Sequence, residues 1–258
     1  MDALAPLLNR TLLLVAHPDD ESISCGALLQ RIREPIVVYG TDGGPEDQYF
    51  WGKYGSPEQY VALRREEATN ALGAVGVREI HWLRDAQGRQ FRDQHLFRNL
   101  PPAAEALRKL VAEYKPDVIL TLAYEGGHPD HDSCNFLGRQ IATGFNLPVW
   151  EAPLYFRRAN NMLLQEFRST NGTEIDLIPT AEELRRKRIM CEAYVSQRGV
   201  VQIFENNVRE TFRPMSQYDY TRPPHEGTLN YEAWQWPMNG RQVAEKFQEY
   251  LLHAVRTP

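Results

Sequence analysis

Cysteine is scarce. The 258 residues hold three, Cys25, Cys134 and Cys191, an odd number with no Cys-x-x-Cys pair. That argues against a disulfide framework and leaves small buried thiols in a reducing cytoplasm as the expectation. A basic excess is missing too: 29 Lys and Arg stand against 34 Asp and Glu, for a net charge of −5. A nucleic-acid partner normally needs the opposite balance on one face. The one dense basic run, Arg185-Arg186-Lys187-Arg188, sits among acidic neighbours and reads as a solvated helix face. No stretch approaches the ~20 apolar residues of a membrane span. The apolar run Thr11–Ala16 is short and is followed at once by His17-Pro18-Asp19-Asp20, so it reads as a buried strand rather than a signal peptide. No G-x-G-x-x-G or P-loop follows any strand, so the usual phosphate cradle is absent. Internal repeats and low-complexity tracts are absent as well.

What remains is punctuated by alternation. Short β-branched runs at 12–16, 36–39, 79–83 and 118–122 alternate with helical stretches at 21–33, 56–73, 102–114 and 130–143. Ser56-Pro57-Glu58-Gln59 has Ser at the N-cap, Pro at the first helical position and Gln at the third. Strands separated by helices imply βαβ units and a parallel sheet. The expected fold is α/β, a doubly wound Rossmann-like mostly parallel sheet with helices on both faces, formed by residues 1–150. Residues 151–258 read as a smaller mixed α+β region that completes the same domain and the substrate cleft. There, strands at 154–157, 163–168 and 174–178 are expected around an Asn171-Gly172 turn. Thr180-Ala-Glu-Glu183 opens a helix to about Tyr194, residues 211–237 form an ordered aromatic loop, and a last helix runs from Arg241 to Val255.

Two clusters carry the chemistry. His17-Pro18-Asp19-Asp20-Glu21 follows the first strand, and His128-Pro129-Asp130-His131-Asp132 follows the fourth. In a sheet of order 3-2-1-4-5 those strands are neighbours, and the crevice at their carboxyl ends is the topological switch point. Several carboxylates gathered there repel one another unless a cation joins them. Imidazoles with a carboxylate suit a catalytic zinc, whose bound water a spare carboxylate can deprotonate. The same set suits ferrous iron. The alternative to a metal site is that both clusters are turns and helix caps. Glu21 and Asp132 stand in the first turns of their helices, where a carboxylate complements the dipole. Three functions are therefore open at this point: a metal hydrolase, a non-haem ferrous oxygenase, and a non-catalytic Rossmann-like binding module.

Ala16-His-Pro-Asp-Asp-Glu21 and Gly127-His-Pro-Asp-His131 resemble the two motifs of the PIG-L/LmbE family of zinc-dependent N-acetylglucosamine deacetylases. Weaker similarity lies in Arg64-Arg-Glu-Glu67 and Arg84-Asp85. The resemblance covers about the first 150 residues. It implies one zinc per chain on His17, Asp20 and His131, with Asp19 as general base. It further implies that His128, held by Asp130, serves the oxyanion or the leaving amine, and that Arg64 and Asp85 hold substrate hydroxyls. The substrate would be a small N-acetylated sugar or glycoconjugate, cleaved to acetate and an amine; a homo-oligomer is compatible. Some family members carry a tyrosine where this chain has Gly126, which leaves Tyr218, Tyr220 or His225 to replace it. The aromatics Tyr49, Phe50, Trp51, Tyr231, Trp234 and Trp236 read either as satellite core or as cleft wall.

Overall fold

A computed structural model describes residues 3–204 and 208–254. In chain order the elements are β1 Arg10–Val15, α1 Asp20–Cys25, β2 Glu34–Tyr39, α2 Gln48–Trp51, α3 Pro57–Ala74 and β3 Glu79–Trp82. Next come α4 Leu100–Tyr114, β4 Val118–Leu122, α5 Pro129–Phe145, β5 Val149–Ala152, β6 Tyr155–Arg158 and β7 Asn161–Leu164. The chain continues through β8 Ile175–Leu177, α6 Ala181–Ala193, α7 Arg198–Val201, β9 Glu210–Pro214, α8 Asn230–Ala233 and α9 Gly240–Ala254.

The main sheet has the order β3-β2-β1-β4-β5-β9-β8. Its first five strands are parallel, and β9 and β8 continue it antiparallel. Because side chains alternate across a strand, β1 feeds two cores. Leu13 and Val15 pack with Ala68, Leu72, Met190 and Tyr194 on one face. Leu12 and Leu14 pack with Leu107, Phe136, Leu137 and Phe247 on the other. Both faces are covered, which is why β1 and β4 are apolar almost throughout instead of alternating. Two helix starts follow the sequence rule: Ser56 with Gln59 and Thr180 with Glu183 form reciprocal capping boxes.

Several expected boundaries move. The helix after β1 is six residues long and gives way to a 3-10 turn at Leu28–Gln30, where Glu210 of β9 accepts the Ala27 and Leu28 amides. Lys187 of α6 reaches the same carboxylate at 2.6 Å. Asn171-Gly172 does not join a hairpin; β6 and β7 turn at 159–160, and β8 pairs with β9. The segment 211–237 is not loop throughout, since β9 extends the sheet. A buried arginine holds it there: Arg213 of β9 donates to Glu151 of β5 at 2.8 Å, and Tyr218 donates to the same carboxylate. The last helix ends its described part at Ala254, and Val255 lies outside the described residues. Among the described residues, no helix is long and apolar enough to cross a membrane.

Glu125 anchors the loop that follows β4. Its Oε1 accepts the Leu154 and Tyr155 amides at 2.8 and 2.9 Å, tying that loop to the β5–β6 connection. Burial pushes its carboxyl up to about 8, against the pull of those two amides. The folded state therefore holds a proton that the unfolded chain releases at lower pH, so stability falls as pH rises from the ordinary glutamate range to about 8. Glu125→Gln keeps an acceptor for both amides and removes the titration. We expect the variant to unfold at a midpoint less dependent on pH between 5 and 8 than the wild type, by urea denaturation at fixed pH values. Identical pH slopes would refute a protonated Glu125.

Candidate active site

β1 ends at Val15, and the next residues turn sharply across the sheet's carboxyl end. Asp19 takes φ +119° and ψ −32°, a backbone conformation that favours glycine. Three contacts hold it there. Its amide donates to Glu21 Oε2 at 3.1 Å, and its carbonyl accepts from Ser22 and Ile23 at 3.0 Å each. Arg64, from α3, donates to the Pro18 carbonyl and lies 3.3 Å from the Asp19 carboxylate. Glu21 is in turn fixed by the Tyr194 hydroxyl at 2.6 Å and by Ser22. Glu21 is thus more than a charge at a helix start: it is fully buried and carries the turn.

The strand order brings the second motif alongside. His128 caps α5, and its Nδ1 accepts the Asp130 amide at 3.1 Å. His17, His128 and His131 lie with ring centroids 4.3, 5.2 and 5.1 Å apart, all buried. Asp20 bridges two of them, with Oδ2 3.5 Å from His17 Nδ1 and Oδ1 3.3 Å from His131 Nε2. Its Oδ2 also accepts the Ala16 and His17 amides, which fixes its direction. Although burial opposes it, the imidazoles of His131 and His17 hold the Asp20 carboxyl far below its usual range. His17 shifts the other way: burial would lower it, but Asp93, Asp130 and Asp20 raise it well above an ordinary histidine. Burial lowers His131.

Asp93 is the member that sequence reasoning missed. Its Oδ1 stands 3.1 Å from His17 Nε2 and 3.4 Å from His128 Nε2. It comes from the loop after β3, the region of Arg84-Asp85, but eight residues further on. Asp85 itself lies elsewhere: its carboxylate caps a local turn, accepting the Gln87 and Arg89 amides and pairing with the Arg89 guanidinium at 2.8 Å. It does not line the cleft. Arg64 does, although its contacts are with Pro18 and Asp19. The Asp130 carboxylate accepts the Gln94 and Leu96 amides at 2.6 and 3.0 Å, so it positions the Asp93 loop, and it is the Asp130 amide that holds His128.

A side chain at Gly126 would meet Leu229 at 2.6 Å, and the residue has φ +73°, so this chain has no room for a tyrosine there. None of Tyr218, Tyr220 and His225 lines the cleft, although His225 Nε2 stands 3.4 Å from where a side chain at Gly126 would begin. Tyr218 binds Glu151, Tyr220 binds Asn135, and His225 contacts the Glu226 carbonyl. The rings beside the histidines are instead Tyr155, 5.2 Å from His131, and Trp236, 4.9 Å from His128. Tyr49 is exposed and outside the cleft, while Phe50 lines it.

The side chains present suit a divalent cation. Donor atoms of His17, His128 and His131 lie within 4.8 Å of one another, as do those of His17, Asp93, His128 and Asp130. His131 Nδ1 is buried with no partner, and its Nε2 faces only the Asp20 carboxylate at 3.3 Å, a costly arrangement for a structural histidine. Imidazole and carboxylate donors without a thiolate match zinc or ferrous iron.

Comparison with known proteins agrees with this arrangement. Residues 12–142 match the PIG-L family, described as GlcNAc-PI de-N-acetylase. A 1D-myo-inositol 2-acetamido-2-deoxy-alpha-D-glucopyranoside deacetylase of Mycobacterium sp. (strain KMS) is 26% identical over 173 residues, 59% of this chain and 55% of that protein. The diacetylchitobiose deacetylase of Thermococcus kodakarensis is 30% identical over 156 residues, 55% of this chain and 52% of that one. The chain thus spans about half the length of these curated relatives. A solved deacetylase triple mutant from the teicoplanin biosynthetic pathway shares the fold, with a TM-score of 0.63 at 22% identity over 81% of this chain and 99% of that one. The matched span runs from β1 to α5 and contains both histidine motifs and the buried cluster they build, and on that ground the chain belongs to the PIG-L family.

Proposed function

We propose that the chain is a zinc-dependent hydrolase that removes the acetyl group from an N-acetylated amino sugar or sugar conjugate. One observation carries the reading: Asp20 bridges His17 and His131 while Asp19, the next residue, turns a second carboxylate into the same cleft. His17, Asp20 and His131 would hold one zinc. When bound, the metal polarises an amide carbonyl and lowers the pKa of water.

The remaining work belongs to side chains. Asp19 takes the proton of the attacking water. Burial pushes its carboxyl up, with Arg64 opposing, so it is a stronger base than an exposed aspartate and can both accept and return a proton. His128 accepts the Asp130 amide at Nδ1, so a neutral ring carries its proton on Nε2, the nitrogen that faces Asp93. From there it hydrogen-bonds to the developing oxyanion, and the proton that Asp19 took from water is returned to the departing amine. Asp93 lies between His17 and His128, its Oδ1 facing the Nε2 of each ring, and so orients both. Arg64 fixes Asp19 and borders the substrate.

Purified protein should contain about one zinc per chain, and His131→Ala should lose it. Asp19→Asn should keep the metal while kcat for acetate release falls by roughly 10²–10⁴-fold, the usual contribution of a positioned base. Near-normal turnover by Asp19→Asn would remove it from the mechanism. Iron in place of zinc, with oxygen required for turnover, would favour an oxygenase instead. Tyr194→Phe removes one hydrogen bond to buried Glu21 and so loosens the turn that aims Asp19. It should cost about 1–2 kcal/mol of stability and lower kcat with KM and metal content unchanged. Metal loss in Tyr194→Phe would show that the contact serves the ligands rather than the base.

A further inference from the structure

The cleft encloses about 410 Å³, and its charged and imidazole groups gather at one end, with Gln94 the half-buried polar side chain beside them. The buried histidines, Asp19, Asp20 and Asp93 lie there. Beside them, Arg64 donates to the Pro18 carbonyl and pairs with Asp19, and Gln197 donates to the Tyr60 hydroxyl. The mouth is built from apolar side chains. Met162 of β7, Val200 of α7, Ile203 of the following 3-10 turn and Trp234 beyond α8 all line the cleft and are 38, 41, 44 and 42% exposed. Three segments far apart in sequence, around 162, 200–203 and 234, thus leave large apolar surface in water at one spot, which marks a binding surface more than chance.

This surface is continuous with the reacting centre. Trp236 meets His128 edge-on at 4.9 Å and Trp234 lies 5.1 Å from Trp236. Tyr155 beside His131 lies 6.1 Å from Trp234 and 6.3 Å from Phe204. A sugar hydroxyl driven against this wall would lose water and gain no partner, at a cost of about 1–3 kcal/mol each. A hydrocarbon group would gain about 0.8 kcal/mol per buried methylene. We propose that the mouth of the cleft binds an alkyl or aryl aglycone carried by the amino sugar, with Met162, Val200, Ile203, Phe204 and Trp234 as its contacts. The proposal rests on the deacetylase reading: a short acyl group held at the polar floor leaves the ring, and then the aglycone, to point outward.

The experiment separates the two. Binding is measured by calorimetry on the zinc-loaded protein with the non-hydrolysable amines, the methyl, butyl and hexyl 2-amino-2-deoxyglucosides. Affinity should rise about fourfold per added methylene over the first few carbons, giving a hexyl-to-methyl ratio of roughly sixty or more. Val200→Ser and Ile203→Ser, both at half-exposed positions where the fold tolerates a polar group, should each lower that ratio about threefold. A wild-type ratio near one, or no binding of the hexyl glycoside, overturns the proposal. Turnover is measured separately on methyl glycosides bearing N-acetyl or N-hexanoyl groups. Faster cleavage of the N-hexanoyl compound would assign the apolar wall to the acyl chain and likewise overturn the aglycone. Absence of any carboxylate release would sink the deacetylase reading, while the hexyl-to-methyl ratio would still decide what the mouth binds.

Discussion

Four carboxylates share one buried cleft end, and that crowding constrains everything around it. Asp19, Asp20, Asp93 and Asp130 are each less than 9% exposed. In a medium of low effective dielectric their mutual repulsion is severe. Each is offset by a specific partner: Asp19 by Arg64, Asp20 by His131 and His17, Asp93 by His17 and His128, Asp130 by two backbone amides. The partners come from the turn after β1, from α3, from the segment after β3 and from the start of α5. The parallel sheet can thus be viewed as a frame that delivers three histidines and an arginine to one place. Even so, His131 Nδ1 is buried without a partner, and the cluster fits best around a cation.

Much of this was legible in the sequence because its signals were local. An apolar run followed at once by His-Pro-Asp, twice, marks two strand ends, and topology does the rest. The capping residues Ser56, Gln59, Thr180 and Glu183 fixed two helix starts for the same reason: the rule spans four residues. Asp93 had no such signature. It reaches the cleft because Asp130 binds the amides of Gln94 and Leu96, a contact across 34–36 residues that no short window contains. Asp85 attracted notice for its place after a strand, yet its partners are its own turn and Arg89.

The carboxy-terminal third was hardest to read, for a related reason. β9 has no alternation because both its faces are used: Phe212 packs into one core, while Arg213 is buried against Glu151. A charged residue in a strand ordinarily reads as solvent-facing, and only the pairing with β5 reverses that. The aromatics of 218–236 likewise divide by tertiary position. Tyr220 and Tyr231 are core, whereas Trp234 and Trp236 wall the cleft.

The left-handed backbone at Asp19 places the chain's chemistry and its foldability in competition. A non-glycine residue held at such φ costs of the order of 1–3 kcal/mol. Glycine would relieve that strain at a stroke and would discard the carboxylate. A screen for thermal tolerance alone would weigh that relief against a buried Arg64 left without its acid, and any gain it found at this position would be a sterile protein.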